Sequence, residues 1–136
     1  MKLSIIIPHY NGKELLFNCL ESILNHISIQ DYEIIVVDNA SIDNSADKAK
    51  EKFPLINLLK SEINLGYSGG CNFGAKNANG EYIIFLNNDT VHTNNWIEEL
   101  ISFLDKNPQA GVAQPKILNA TNRDTFDYAG GAGGYI

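Results

Sequence analysis

Hydrophobic and polar positions alternate along this chain between short unbroken apolar runs and longer segments with apolar residues three and four apart. Residues 3–8 form such a run, and 33–38 form another, with Ile34-Ile35-Val36-Val37 at its centre. The pattern predicts a weaker third strand at 55–60, a fourth at 81–87 through Tyr82-Ile83-Ile84-Phe85-Leu86, and a fifth at 111–118. Continuous β-branched runs suit strands covered on both faces, as in a parallel sheet. Between them, 14–25 carries Leu15, Leu16, Cys19, Leu20, Ile23 and Leu24 at helical spacing. A short helix is predicted at 45–53 with Asp43 placed to cap it. A small-residue segment at 68–77 reads as helical or irregular. A helix at 95–106 puts Trp96, Ile97, Leu100, Ile101 and Leu104 on one stripe and stops at Asn107-Pro108. Trp96 and Phe103 are expected in the core, and Cys19 packs on the apolar face of its helix. Strand and helix in alternation predict a three-layer α/β fold.

In an open parallel sheet, ligands bind beyond the carboxyl ends of the strands. After the first run comes Pro8-His9-Tyr10-Asn11-Gly12, and after the second Asp38-Asn39-Ala40-Ser41. The third is followed by Asn64-Leu65-Gly66 and the fourth by Asn87-Asn88-Asp89-Thr90. Polar clusters therefore fall along one edge of the sheet. Each could instead serve to cap a helix: Asp38, Asn39, Ser41 and Asp43 in one case, Asp89, Thr90, Thr93 and Asn94 in the other. The three histidines, His9, His26 and His92, have no metal-pair spacing and read as solvent or loop residues.

Composition removes several classes. At 136 residues, 44% hydrophobic and 19% charged, the chain is a folded domain. A formal charge of −6 with no basic run argues against nucleic acid as a partner. No stretch approaches a membrane span, and the N-terminus lacks the pattern of a signal peptide. Cys19 and Cys71 form no metal or disulfide framework, which fits a reducing cytoplasm. The turn after the first strand lacks the glycines of a dinucleotide fingerprint, and there is no P-loop. What remains is an aromatic, several amides and two separated carboxylates. Asp38 can accept from a nucleobase or ribose. Asp89 can hold a hard cation whose other ligands are phosphate and water.

Taken in order, Ser4-Ile5-Ile6-Ile7-Pro8-His9-Tyr10-Asn11, Val36-Val37-Asp38-Asn39-Ala40-Ser41, Asn64-Leu65-Gly66, Phe85-Leu86-Asn87-Asn88-Asp89 and Gly111-Val112-Ala113-Gln114-Pro115-Lys116-Ile117 resemble family 2 glycosyltransferases. The stretch 126–134 is similar to rhamnosyltransferase-like members that build bacterial surface polysaccharides. The resemblance implies a GT-A type, Rossmann-like α/β/α fold with a mostly parallel sheet. It implies a UDP- or dTDP-sugar donor, Mg²⁺ or Mn²⁺, a saccharide or lipid-linked saccharide acceptor, and transfer with inversion. By position, Pro8, Tyr10 and Asn11 would line the nucleoside pocket and Asp38 would hold base or ribose. Gly66 and Asn72 would lie beside the donor. Asn87, Asn88 and Asp89 occupy the D-x-D position, with Asp89 as metal ligand and Asn87 where many relatives carry Asp.

The resemblance divides the chain into a donor-binding part, 1–118, and the start of an acceptor-side region, 119–136. The glycine-dense end reads as a boundary cut before the catalytic base, which is expected beyond Ile136; Asp124 and Asp127 are the only carboxylates after Asn119. Such a fragment is expected to bind nucleotide, to turn over slowly or not at all, and to self-associate through apolar surface left uncovered. The parent protein would work in the cytoplasm, at the inner face of the membrane through its acceptor. Three readings compete with this one. One is a non-catalytic nucleotide-binding module. Another is a D-x-D-x-T phosphohydrolase, which needs an aspartate nucleophile where Asn87 stands. A purely structural domain with caps alone is a third.

Overall fold

The computed structural model describes residues 1–128, which fall into two compact units divided between Thr93 and Asn94. In the first unit, β1 (Leu3–His9), α1 (Lys13–His26), β2 (Tyr32–Asp38), α2 (Ser45–Lys52), β3 (Asn57–Lys60), α3 (Gly66–Ala75) and β4 (Tyr82–Phe85) follow one another. The strands form one parallel sheet in the order β3-β2-β1-β4. All seven residues of β1 are buried, and so are six of the seven in β2, as their unbroken apolar runs require.

Right-handed crossovers settle the layers. The chain steps from β1 to β2 to β3 in one direction, then jumps back past β1 to β4. The helices of the first two steps, α1 and α2, therefore lie on one face, and α3 lies on the other. On the α3 side, Ile6, Ile35 and Val37 form a cluster with Phe73, Ala75 and Ala78. Helix α1 buries Leu16, Cys19, Leu20 and Ile23. Phe17 of α1 meets Phe53, just after α2, edge to face at 5.6 Å.

Helix α3 is regular throughout. Its small residues let it approach the sheet: a Cβ added at Gly74 would stand 2.4 Å from Ile6 Cγ2. Glycine weakens an isolated helix, but here the close contact with the sheet outweighs that propensity.

At the amino end of the sheet, the buried Glu33 carboxylate collects donors from several elements. Its Oε1 accepts from Ser4 Oγ at 2.7 Å and from the Asn79 amide at 2.8 Å, while Oε2 accepts from Asn57 Nδ2 at 2.9 Å. Ser4 Oγ in turn accepts from Gly80 N at 2.8 Å.

The second unit contains α4 (Trp96–Lys106), β5 (Ile117–Leu118) and β6 (Phe126–Tyr128). Helix α4 buries Ile97 and Ile101. Trp96 is only half-buried and Phe103 is 50% exposed, so neither is the core residue its place on the stripe suggested. The strand expected at 111–118 is reduced to two residues, paired antiparallel with β6 and outside the parallel sheet. Gly111 and Pro115 interrupt the run, and Val112 is 85% exposed, so no layer covers it. The glycine-rich stretch 129–136 lies outside the described residues.

Removing the Glu33 carboxylate leaves the buried Ser4 hydroxyl without its acceptor and breaks the part-buried bonds from Asn57 and Asn79. Glu33→Ala is expected to cost about 3 kcal/mol in urea unfolding at neutral pH. Burial pushes the Glu33 carboxyl up, but the hydrogen bonds from Ser4, Asn79 and Asn57 outweigh it and hold it below the usual glutamate range. Its contribution is therefore complete above the unfolded pKa and is lost as pH falls through the folded one. The gap between wild type and variant should narrow as pH drops below about 4.

Candidate functional site at the carboxyl edge of the sheet

The chain reverses its direction of travel across the sheet between β1 and β4, and such a switch point opens a crevice at the carboxyl ends of the strands. Pro8 contributes to that opening. Even-numbered residues of β1 bond toward β4, as Ile6 O does in accepting Leu86 N at 2.9 Å. The register between these strands ends at Ile6 with Phe85. Pro8, which has no N–H, therefore stands where β4 has already parted from β1 and no ladder bond is lost.

On the other side, the turns after β1 and β2 are stitched together. His9 O accepts from Asn39 N at 2.8 Å. Asn11 N donates to Ser41 Oγ at 3.0 Å, and Ile42 N to Asn11 Oδ1 at 2.9 Å. Gly12 N donates to Asp43 Oδ2 at 2.8 Å. The turn is tight because Asn11 and Gly12 both take left-handed backbone, at φ 52° and 92°. Asn11 thus spends its amide oxygen on the fold. Asp38 is 6% exposed and receives Ser41 N on Oδ1 at 2.9 Å, leaving Oδ2 for another donor.

Asp43 does not act as a helix cap. The residue before α2 is Asn44, left-handed and without a side-chain capping bond, and α4 likewise lacks one at Asn95. Asp43 receives the amide and the hydroxyl of Ser45 on Oδ1 instead. These bonds, the hydroxyl's foremost, hold its carboxyl at about 2.

Two histidines expected in solvent or loops are buried: His9 is 1% and His92 is 8% exposed. His9 ends β1, one residue beyond the expected strand, and shares its sheltered register with Asp38. Its Nε2 lies 2.6 Å from Ser45 Oγ and its Nδ1 lies 2.8 Å from Asn88 Nδ2. Burial lowers its pKa, against the opposing charges of Asp38 and Asp43. His92 Nε2 lies 3.1 Å from Thr90 Oγ1, and its amide donates to Ser22 Oγ of α1 at 3.1 Å. Burial first, and the charge of His26 second, lower its pKa to about 4. Thr90 Oγ1 also donates to Asn87 O at 2.8 Å, and Cys19 Sγ lies 3.6 Å from the same carbonyl. The loop of Asn87, Asn88 and Asp89 is thus pinned on both sides of its carboxylate.

The structure brings Pro8, Asn11, Asp38, Gly66 and Asn88 into one connected shell. Gly66 joins through its carbonyl, which accepts from Asn39 Nδ2 at 3.3 Å. A Cβ at Gly70 would touch both Pro8 and Asn39 at 3.0 Å, so α3 closes that side. Tyr10, Asn72, Asn87 and Asp89 are exposed, and among the described residues no side-chain hydrogen bond ties them to the shell. Asp89 has a carboxylate with no hydrogen bond from the described residues. Among those residues no group of three or more histidine, cysteine or acidic side chains could hold a metal ion. The geometry suits a hard cation held by one carboxylate and completed by phosphate and water, since such ions need only one or two protein ligands. Asn39, Ser41 and Ser45 were not among the expected site residues. They sit one turn beyond the apolar run, where sequence alone does not separate a turn residue from a site residue.

Comparison with known proteins follows the same outline. The profile of the family described as "Glycosyl transferase family 2" matches residues 4–129. A poly(ribitol-phosphate) beta-glucosyltransferase of Bacillus spizizenii is 40% identical over 94 residues, covering 65% of this chain and 15% of that protein. The crystal structure of S. aureus TarS 1-349 in complex with UDP-GlcNAc matches with a TM-score of 0.69 at 25% identity, over 84% of this chain and 37% of that one. The fold is also that of the mannosyltransferase PcManGT from Pyrobaculum calidifontis, a complex with GDP-Man and Mn²⁺, at TM-score 0.69 and 23% identity, over 85% of this chain and 33% of that one. This chain therefore spans well under half the length of each of these proteins.

Both buried histidines are neutral in the fold, so protons favour the unfolded chain. Their contribution is complete above about 6.5 and is lost as pH falls through the folded value, about 4 for His92. Thermal or urea unfolding from pH 7 to 4 should show stability falling, with His92 contributing up to about 1.4 kcal/mol per pH unit and His9 adding to the fall. His92→Gln should flatten that slope; an unchanged slope would contradict the assignment.

Proposed function

From the premise that the chain belongs to glycosyl transferase family 2, we propose that it binds the nucleoside-diphosphate sugar of an inverting transferase that builds a cell-surface polysaccharide. The observation that carries this reading is the shell at the switch point. The Asp38 and Asn88 loops, which come from different strands, both meet His9 at the carboxyl edge of the sheet in a GT-A type α/β fold.

Each residue has a physical role in this proposal. Tyr10, 49% exposed beside Pro8 and Asn11, offers a ring face to the base. Asp38 accepts from the base or a ribose hydroxyl with the oxygen that Ser41 leaves free. Gly66, at the start of α3, and Asn72, in its second half, flank the donor. Asn87 reaches ribose or a water held by the metal. Asp89 holds Mg²⁺ or Mn²⁺, which when bound neutralises the charge that gathers on the departing diphosphate.

TarS, whose structure holds UDP-GlcNAc, supports UDP as the nucleotide. The rhamnosyltransferase-like stretch at 126–134 supports a dTDP-sugar instead, and most of it lies outside the described residues. The acceptor is proposed to be a saccharide or lipid-linked saccharide at the cytoplasmic face of the membrane. No helix among the described residues is long and apolar enough to cross a membrane. Transfer also needs a base for the acceptor hydroxyl. The proposed donor shell supplies none, so these 136 residues alone are expected to bind donor and transfer sugar slowly.

Calorimetric titration of UDP, dTDP and GDP, with and without Mn²⁺, tests the reading. One diphosphate should bind more tightly with the metal, and Asp89→Ala should abolish that gain, a loss of about tenfold or more. Binding that ignores both the metal and the substitution would mean that Asp89 is not the metal ligand.

A further inference from the structure

Four side chains form one hydrogen-bonded line across the site, and its direction is fixed from one end. Asp43 is held ionised and can only accept, so the Ser45 hydroxyl gives its proton to Asp43. Ser45 Oγ then has only lone pairs to offer His9 Nε2, 2.6 Å away, so Nε2 carries the proton of the neutral ring. That leaves Nδ1 bare. Asn88 must present its NH₂ group there, at 2.8 Å, because its carbonyl oxygen would meet Nδ1 lone pair to lone pair. The Asn88 carbonyl oxygen takes no hydrogen bond from the described residues.

We infer that Asp43, Ser45 and His9 are positioning residues that lock the Asn88 amide with its carbonyl oxygen left free, as an acceptor for an O–H group brought to the site by the bound nucleotide sugar and its metal. The inference rests on the donor-site reading above. It gives position 88 a reason to be an amide: an aspartate there would have no proton for a bare Nδ1 and would force the ring to reprotonate. The line also spans the switch point. It begins at the β1 turn, where Asp43 receives Gly12 N, and ends on the loop beyond β4, one residue before Asp89. The nucleoside end and the diphosphate end of the crevice are thereby held in one fixed relation. The O–H group is either a ribose hydroxyl or a water on the metal.

The test is nitrogen-15 NMR on the whole chain, with UDP and Mn²⁺ as probes. Ring nitrogen shifts should show His9 protonated on Nε2 and bare on Nδ1. Ser45→Ala removes the Nε2 acceptor that fixes this tautomer. It should move the His9 ring signals and the Asn88 side-chain amide pair together and weaken UDP binding about fivefold. A loss seen only with Mn²⁺ identifies the partner as metal-held water, and an equal loss without it identifies a ribose hydroxyl. A wild-type ring protonated on Nδ1 would overturn the inference, and so would a Ser45→Ala chain with unchanged Asn88 signals and affinity. If the variant does not fold, the wild-type tautomer still decides whether the lock exists. No UDP binding to a wild-type chain that shows the Nε2–H tautomer would overturn the donor-site reading and leave the lock standing.

Discussion

The parallel pairing of β1 on both of its edges is the constraint from which the rest of the site follows. A strand flanked by β2 and β4 and covered on both faces has no side chain free to reach water. Yet β1 carries a polar residue near each end, Ser4 and His9, both at most 1% exposed. A buried polar group without a partner costs about 1–3 kcal/mol, so each end must be satisfied from neighbouring elements. At the amino end the partner is the Glu33 carboxylate. At the carboxyl end the partners are Ser45 and Asn88, which come from opposite sides of the strand. The same physical demand gives a structural staple at one end and the framework of the candidate site at the other.

The carboxyl end also has to be open to a ligand while remaining satisfied. Pro8 reconciles the two demands: it omits the N–H that would have needed β4, and β4 diverges there without leaving an orphaned donor. His9 then closes the gap with side-chain bonds, which span a wider separation than a backbone ladder does. A crevice bridged by a His–Asn contact is a consequence of ending a buried strand with Pro-His.

Much of this is legible in the residues. The runs at 3–8 and 33–38 mark the two central strands, and the polar clusters after them mark the right edge of the sheet. The failures have particular causes. Pro8 reads as the end of a strand, which puts His9 in a loop, although a proline at a parting of strands breaks no bond. The run at 111–118 has apolar residues but no covering layer, and apolarity alone does not make a sheet strand. Asp43 has the spacing of a cap, yet the left-handed Asn44 turns the chain so that Asp43 bonds Ser45 and Gly12 instead. That choice depends on backbone angles that spacing does not encode.

Charge supplies the last step. The chain carries a formal charge of −6, and the ligand proposed for it is a diphosphate, also an anion. Two lysines at the carboxyl end of the fold are already engaged: Lys60, in register with Asp38, is tied to Asp47 at 2.6 Å, and Lys13 lies over the Phe17 ring at 5.1 Å. Asp43 is committed inside the hydrogen-bonded line, and Asp38 is half spent on Ser41. Every further carboxylate facing the crevice would add repulsion against the diphosphate unless a cation stood between them. With amides at 87 and 88 and one exposed carboxylate at 89, the loop offers a single carboxylate to the divalent ion proposed for it and neutral dipoles beside it. An amide makes a weaker metal ligand than a carboxylate. It also leaves Asn88 able to donate to a neutral histidine, which an aspartate cannot do, and that bond joins those of Thr90 and His92 in holding the loop.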